Sequence, residues 1–304
     1  MNWERVRVWL TAVRVSQWTK NGIVFLAWFF AFADDSQSAL ARGYRPFLLV
    51  SAMAVSFSLL SSAFYLLNDI SDYHSDRLHP IKRKRPIAMG LISQIDAVRM
   101  ALALFACSLA FPAYLVFRHP DRTWGFAVVL IYVLMQSMYS GFLKRVAYVD
   151  VAVIAFGFVL RAVAGAAAMN VRISPWLLAC AFSLSLFLAL CKRRHEMFVA
   201  FQSRAALSGY HPVLIDVLVF ISAFVTAAVY TCYTLSADTV DRFKSHALVV
   251  TALFVVVGLV RYIVLMFGGK DVGRPEKILL TDRPIWLIIF GYALSAVGAV
   301  LYGR

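Results

Sequence analysis

Residues 46–76 read PFLLVSAMAVSFSLLSSAFYLLNDISDYHSD. From Pro46 to Asn68 there is no charged side chain, and then Asp69, Asp72 and Asp76 follow in quick succession. About 20 consecutive apolar residues are what an α-helix needs to cross the roughly 30 Å hydrocarbon core of a bilayer. The rest of the 304-residue chain has the same character: 62% of residues are hydrophobic and 15% are charged, against about 25% charged in an ordinary soluble domain. A soluble protein of this size cannot hide that much apolar surface, because its surface-to-volume ratio forces many polar residues outward. The sequence therefore describes an integral membrane protein. It excludes a soluble enzyme, a DNA-binding module and a disordered scaffold.

Working outward from this segment, nine stretches are long and apolar enough to span: about 17–34, 46–68, 96–117, 123–143, 149–169, 174–191, 213–235, 245–267 and 284–302. The expected fold is an all-α integral membrane protein of nine transmembrane helices with cytoplasmic cap loops. No linker, low-complexity tract or repeat divides it, so a single domain over 1–304 is expected. Cys107, Cys180, Cys191 and Cys232 lie in or beside apolar runs with no CxxC pair, and they read as small buried hydrophobes. The opening MNWERVRVWLTAVR is basic and amphipathic, without a small-residue cleavage site, and does not read as a signal peptide.

The net charge is +14. In a soluble protein that would suggest nucleic acid. In a membrane protein Lys and Arg collect on the cytoplasmic side, so no nucleic-acid partner is expected. One side holds Arg5, Arg7, Arg14, Lys20, Arg77, Lys82, Arg83, Lys84, Arg85, Arg99, Lys144, Arg145, Lys192, Arg193, Arg194, Arg204, Lys270, Arg274, Lys277 and Arg283. The other holds only Arg42, Arg45, Arg118, Arg122, Arg172, Arg242, Lys244 and Arg304. The N-terminus is expected in the cytoplasm. The long connections 69–95, 192–212 and 268–283 share that side, and function commonly sits in such loops.

The acids at the end of the second span carry the most chemistry. At about 100° per residue, Asp69, Asp72 and Asp76 share an arc of about 60° on a continuous helix, with Asn68 at its edge. Acids crowded at a membrane boundary are costly unless a cation joins them. Mg²⁺ takes oxygen ligands and commonly bridges one or two carboxylates to substrate phosphates, so Asn68, Asp69, Asp72 and Asp76 are candidate ligands in a Mg²⁺–diphosphate site. The alternative is a solvated helix end whose acids offset nearby bases. The run that follows, Arg77, His79, Lys82, Arg83, Lys84 and Arg85, suits phosphate, since Arg offers a two-pronged fork and Lys a point charge. Taken alone it would equally anchor on anionic lipid headgroups.

Other polar groups stand at or inside span ends. Tyr139 and Lys144 close the fourth span and Asp150 opens the fifth. They read either as interfacial anchors or as a polar rim, with Lys144 on a phosphate and Asp150 on a substrate hydroxyl or a basic neighbour. Arg161 lies roughly 16 Å into the fifth span at about 1.5 Å per residue, and an intramembrane Arg is a functional candidate by default. It lies about 20° from Asp150 on the helix wheel. The alternative is a structural Arg satisfied by backbone carbonyls. His74, His79, His195 and His211 make no metal-binding spacing and are given no ligand role.

Asn-Asp-x-x-Asp-x-x-x-Asp at the end of the second span resembles the first aspartate motif of the UbiA prenyltransferase superfamily. The resemblance covers essentially the whole chain. It implies an intramembrane helical bundle that binds a Mg²⁺-chelated diphosphate at a cytoplasmic mouth. Members commonly carry a second aspartate-rich motif between spans six and seven, but CKRRHEMFVAFQSRAALSGYHP at 191–212 has only Glu196 and no Asp-x-x-x-Asp. A different branch is more similar, the polyprenyl-phosphate phosphoribosyltransferases. Its likeness rests on SQWTKN (16–21), NDISDYHSDRLHPIKRKRPIA (68–88), YSGFLK (139–144), GFVLRAVAGA (157–166), KRRHE (192–196) and GRPEKILLTDRP (273–284).

That resemblance implies an enzyme transferring 5-phosphoribose from phosphoribosyl diphosphate to a polyprenyl (decaprenyl) phosphate, with diphosphate released, for cell-wall or lipid-linked sugar synthesis. It implies a multi-pass protein of a bacterial cytoplasmic membrane, Mg²⁺ as cofactor, and membrane lipid around it; a homo-oligomer is compatible. It places Lys20 and Asn21 toward a substrate phosphate, where an interfacial belt is the alternative, and Lys192 and Arg193 on the diphosphate or 5-phosphate. Glu196 would complete a Mg²⁺ shell or hold one of those bases. The rivals are prenyl transfer to an aromatic acceptor, disfavoured by the missing second motif, and a transporter. A transporter would favour a path of charges through the midplane, whereas here the charges gather at one face.

Overall fold

The structure, a computed structural model, describes residues 3–33, 38–199, 209–269, 272, 278 and 281–302. Every regular element among them is helical. Seven helices are long and apolar enough to cross a membrane: Tyr44–Ser71, Gln94–Arg118, Thr123–Gly141, Val149–Met169, Pro175–Phe198, Pro212–Leu235 and Ala247–Phe267. Each coincides with an expected span. A further helix, Arg283–Tyr302, covers the last one. The segment expected as the first span is not one continuous α-helix: it is a 3-10 helix, Val15–Phe25, followed by a short α-helix, Leu26–Ala33.

Helix boundaries follow local chemistry. Ser93 caps Gln94–Arg118: its hydroxyl oxygen accepts the Asp96 N–H at 3.0 Å while its O–H donates to the Asp96 carboxylate at 2.7 Å, which satisfies one of the free N–H groups of the first turn. Pro175 and Pro212 open their helices, where a missing N–H costs nothing. Val149–Met169 ends on Asn170 at φ 57°. The N–H of Asn170 reaches the Ala167 carbonyl and that of Val171 the Ala166 carbonyl, which satisfies the last turn.

The chain forms two compact units. The first comprises 1–29, 40–141 and 160–171, and the second 30–39, 142–159 and 172–304. In the first, Tyr44–Ser71 packs against Gln94–Arg118, Thr123–Gly141 and the 3-10 segment. The Val149–Met169 helix supplies small residues to this unit: Ala162, Ala164, Ala166, Ala167 and Ala168 are all buried. Small side chains let backbones approach closely, the usual device between membrane helices. Gly165 shows why: a Cβ there would stand 1.9 Å from the Val24 carbonyl oxygen. A cluster of Ala12, Leu66, Ile87, Ile92, Ala97 and Ala101 fixes the first unit around the aspartate end of Tyr44–Ser71.

In the second unit, Pro175–Val199 packs on Pro212–Leu235, and Thr251–Phe267 packs on Arg283–Tyr302. Its core includes Val151, Phe187, Cys191, Ile215 and Tyr262. All four cysteines are free, but only Cys191 is buried. Cys107 and Cys232 are exposed, so the expectation of four buried cysteines is corrected. Each sits on the outer face of an apolar helix, where a thiol is as acceptable as a methyl group.

Candidate active site

Tyr44–Ser71 stops at Asp72, and a short helix, Tyr73–Leu78, restarts beyond it. The motif is thus not one continuous helical face. Asp69 sits in the last turn of the long helix, Asp72 at the break (φ −92°, ψ 8°), and Asp76 in the short helix. Asp69 and Asp76 are 3% and 1% exposed. One guanidinium joins them: Arg85 Nη1 lies 3.0 Å from Asp69 Oδ1 and 2.6 Å from Asp76 Oδ2. Arg14 adds a second cation, with Nη2 2.5 Å from the same Asp69 oxygen and its guanidinium 4.6 Å from the Tyr65 ring centroid. Two buried carboxylates without such partners would be strongly disfavoured.

Arg14 carries a local strain. Its backbone is left-handed, φ 55° and ψ 51°, which costs a non-glycine residue about 1–2 kcal/mol. The turn is held in place by Trp18, whose indole N–H donates to Ser62 Oγ at 3.0 Å, and by Ser62, whose hydroxyl donates to the Val13 carbonyl at 2.7 Å. Burial lowers the Arg14 pKa from its ordinary value, with Asp69 opposing.

Two oxygens of the motif stand apart. Among the described residues, Asn68 Oδ1 and Asp76 Oδ1 are buried without a hydrogen-bond partner. Buried acceptors are seldom left so, and an orphaned one asks for a ligand. No three acidic, histidine or cysteine side chains converge among the described residues. Mg²⁺ does not need three, since it keeps waters and takes one or two carboxylates together with substrate phosphates. Hard oxygen donors with open valence therefore fit it. Asp72 is half-buried, and its carbonyl accepts from the Asp76 N–H at 2.8 Å and the Ser75 hydroxyl at 2.9 Å.

The basic loop is shaped by one histidine. His79 Nδ1 accepts the N–H groups of Ile81 at 3.1 Å and Lys82 at 3.2 Å, starting a 3-10 turn at Lys82–Lys84. Burial and then Lys82 lower the His79 pKa from its ordinary value. Beyond the turn, Pro86 and Ile87 are buried, and this directs Arg85 inward. Lys82 is half-buried, while Arg83 and Lys84 are exposed. Arg77 is exposed, 5.6 Å from the Tyr73 ring centroid.

Arg161 belongs to a second cluster of the same unit. Its Nε donates to Asn21 Oδ1 at 2.8 Å, and its Nη2 donates to the Tyr132 hydroxyl at 2.7 Å. Asn21 in turn donates to Ser58 Oγ at 2.9 Å. Both Asn21 and Tyr132 are buried. Asn21, which the resemblance places on a substrate phosphate, thus has its amide engaged by Arg161 and Ser58. Lys20, the next residue on the segment, is half-buried, as is Tyr139 in the last turn of Thr123–Gly141.

The second unit holds the remaining candidates. Asp150 is fully buried. It accepts from Arg193 Nε at 2.6 Å, from the Val151 N–H at 2.9 Å and from the Tyr210 hydroxyl. Arg193 is buried too, and its Nη1 donates to Glu196. Lys192 Nζ lies 4.0 Å from Glu196 Oε1. Burial, together with the hydrogen bond to Asp150, raises the Tyr210 pKa. Of the two roles read for Asp150 and Glu196, each takes the one of holding a basic neighbour. Arg193, placed by the resemblance on a phosphate, is held between two carboxylates. Lys144 is half-buried in the Leu143–Arg145 turn. Asp150 lies in the second unit and Arg161 in the first.

Arg14, Tyr65, Tyr132 and Tyr210 were not among the residues singled out from sequence. Their roles arise from contacts distant in sequence that no spacing rule reaches. Ser58, Ser61 and Ser62 did carry a signal, since hydroxyls three and four apart in an apolar span share one helical face. Arg204, Lys270, Arg274, Lys277 and Arg304, counted in the charge asymmetry, and most of 273–284 lie outside the described residues.

Residues 22–267 match the UbiA prenyltransferase family. The decaprenyl-phosphate phosphoribosyltransferase of Mycobacterium tuberculosis is 33% identical over 298 residues, covering 96% of this chain and 94% of that one. Its namesake from Mycolicibacterium smegmatis is 32% identical over 305 residues, covering 96% and 92%. A solved UbiA homologue from Archaeoglobus fulgidus, bound to DMAPP and Mg²⁺, superposes with a TM-score of 0.70 at 17% identity, covering 96% of this chain and 98% of that one; that likeness carries the fold. With the apolar helices and the aspartate pair already described, the match over most of its length leaves one assignment: the chain belongs to the UbiA prenyltransferase family.

Proposed function

We propose that this integral membrane protein transfers 5-phosphoribose from phosphoribosyl diphosphate to a polyprenyl phosphate, decaprenyl phosphate in the names of its relatives, and releases diphosphate. The observation that carries this reading is the buried Asp69–Asp76 pair, with orphaned oxygens at Asn68 and Asp76 and a basic loop leading into it. Asn68, Asp69, Asp72 and Asp76 would hold Mg²⁺, which when bound supplies positive charge against a leaving diphosphate. Lys82, Arg83 and Arg85 orient the diphosphate, with Arg77 at the edge of the loop. In the same unit Lys20 supplies a point charge for a further phosphate and Tyr139 a hydroxyl; in the second unit Lys144 and Lys192 are point charges of the same kind.

Asn21 and Arg161 position the 3-10 segment that carries Lys20. Asp150, which also accepts from the Tyr210 hydroxyl, and Glu196 hold Arg193 as a fixed internal cation, so among the described residues of this stretch no pair of carboxylates is open for a second metal. The acceptor phosphate is already anionic near neutral pH and needs no dedicated base. Holding two large anions in line is then the main task, and a single displacement inverts the anomeric carbon.

The chain acts as one domain with nine crossings. The 3-10 and α pieces of Val15–Ala33 are together long enough for the first: at about 2.0 and 1.5 Å per residue they reach about 34 Å. The excess of Lys and Arg beside the aspartates puts that face and the N-terminus in the cytoplasm of a bacterial cell. The test is mass spectrometry of products from purified protein with labelled phosphoribosyl diphosphate and polyprenyl phosphate, run beside labelled prenyl diphosphate. A phosphoribosylated lipid is expected. Consumption of prenyl diphosphate with phosphoribosyl diphosphate untouched overturns the reading.

A further inference from the structure

We infer that Arg85 is an exchangeable counter-ion: it neutralises Asp69 and Asp76 while no divalent cation is bound, and it passes to the donor's diphosphate when one arrives. This rests on the metal reading proposed above. A single nitrogen, Nη1, bridges the two carboxylates, so a cation stands between the groups a metal would use. Arg14 takes the same Asp69 oxygen from another element. Counting the buried pair, two carboxylates face two guanidinium groups, and the charge closes at zero.

A divalent cation adds two positive charges to that balance. It also competes for the carboxylate oxygens on which Arg85 rests. The resulting excess repels the guanidinium groups and is relieved when a diphosphate enters. Arg85 can make the exchange. Its side chain is 25% exposed, against 3% and 2% for the aspartates it bridges. It also stands at the end of a 3-10 turn rather than inside a helix. Asp76 Oδ1, with no partner among the described residues, is the oxygen a cation can meet before Arg85 leaves. Arg85 therefore couples the two binding events: metal alone binds against a resident cation, and metal with donor does not.

The probe is Mn²⁺ alone, titrated without donor into purified full-length protein, with free Mn²⁺ read by electron paramagnetic resonance. Arg85→Gln removes the competitor and is expected to bind Mn²⁺ at least tenfold more tightly than wild type. Its apparent KM for phosphoribosyl diphosphate should rise at least tenfold. Unchanged or weaker Mn²⁺ binding in Arg85→Gln overturns the proposal. If that variant does not fold, Arg85→Lys decides. The lysine ammonium ends short of the position of Nη1 and so holds the two carboxylates less well, so a gain of threefold or more is expected, and no gain overturns the proposal. Asp76→Asn separates the readings. Wild-type Mn²⁺ binding that survives Asp76→Asn sinks the metal site and the exchange with it. Binding that is lost in Asp76→Asn yet indifferent to Arg85 sinks the exchange alone.

Discussion

Arg14 reaches Asp69 from a left-handed backbone: its Nη2 stands 2.5 Å from Asp69 Oδ1 while its φ is 55°. Strain of this kind persists only where surrounding contacts over-determine it, and it concentrates at functional sites. Here the contacts are the Trp18–Ser62–Val13 chain on one side and the carboxylate on the other.

Replacing Arg14 separates the ion pair from the strain. Arg14→Ala loses the charge-assisted hydrogen bond, at a cost of about 1–3 kcal/mol, because Asp69 keeps Arg85. Arg14→Gly loses the same bond but adopts positive φ freely, and should recover about 1 kcal/mol relative to alanine. Thermal melts in detergent should order the proteins as wild type, then glycine, then alanine. Alanine melting above glycine would show that the left-handed turn stores no strain.

Asp69→Asn and Asp72→Asn should each abolish turnover. A lost ligand to a catalytic metal is worth about 4 kcal/mol of transition-state stabilisation, roughly a thousandfold in rate. The two variants should differ in stability. Asp69 is buried between two guanidinium groups, so its neutralisation also loosens the fold, whereas Asp72 is half-buried and its loss leaves the melting temperature nearly unchanged. EDTA should silence the wild type. Near-normal turnover of either variant at saturating Mg²⁺ would remove that residue from the metal site.

Gly165→Ala should destabilise the protein although alanine is the better helix former by about 1 kcal/mol. The new Cβ would stand 1.9 Å from the Val24 carbonyl oxygen, and backbone cannot yield as a side chain can. Overpacking of this kind costs about 1–3 kcal/mol. It also displaces the segment carrying Lys20 and Asn21, so turnover falls together with stability. Gly298, in the Arg283–Tyr302 helix, has nothing within 4 Å of its virtual Cβ. Gly298→Ala should leave activity intact and raise the melting temperature slightly.

Acid should loosen the basic loop through His79. Its Nδ1 accepts two backbone N–H groups, which only the neutral ring can do. The folded-state pKa is lowered, first by burial and then by Lys82. A lowered pKa means that the folded loop favours neutral imidazole. Its contribution is therefore present above the unfolded value, about 6.5, and is lost as pH falls through the folded one. The apparent KM for phosphoribosyl diphosphate should rise in the wild type as the pH falls below the ordinary imidazole value. In His79→Asn, whose amide oxygen can accept the same N–H groups, that rise should shrink. An unaltered acid limb in His79→Asn would clear His79 of the effect.

The long spans and the aspartate motif were legible because both are local patterns: uninterrupted apolarity, and acids placed where apolarity ends. The resemblance, carried by short motifs along the whole chain, supplied the family. The break at Asp72 was not legible. Asp, Tyr, His and Ser continue or end a helix with nearly equal ease, and the choice was made by the contacts of Asp76 and Arg85. The 3-10 form of Val15–Phe25 was hidden for the same reason. It depends on Arg161 and Gly165, some 140 residues away in sequence. Arg14 passed as one more basic residue of the cytoplasmic face, since nothing in MNWERVRVWLTAVR marks it as a partner of Asp69.

The interleaving of the two units bears on how the protein is made. The first unit takes its last residues from 160–171, after 142–159 have gone to the second. At about 5–20 residues per second, the ribosome delivers Arg161 and Gly165 roughly 7–28 s after Asn21 and Val24. For about the first quarter of that interval Asn21 lacks Ser58 as well; for the rest its amide has Ser58 as a partner but not Arg161, and Val24 does not have Gly165 to lie against. The opening segment must therefore wait at the insertion machinery or the lipid interface in some other conformation, and a nascent chain arrested near Gly141 should leave it unclosed.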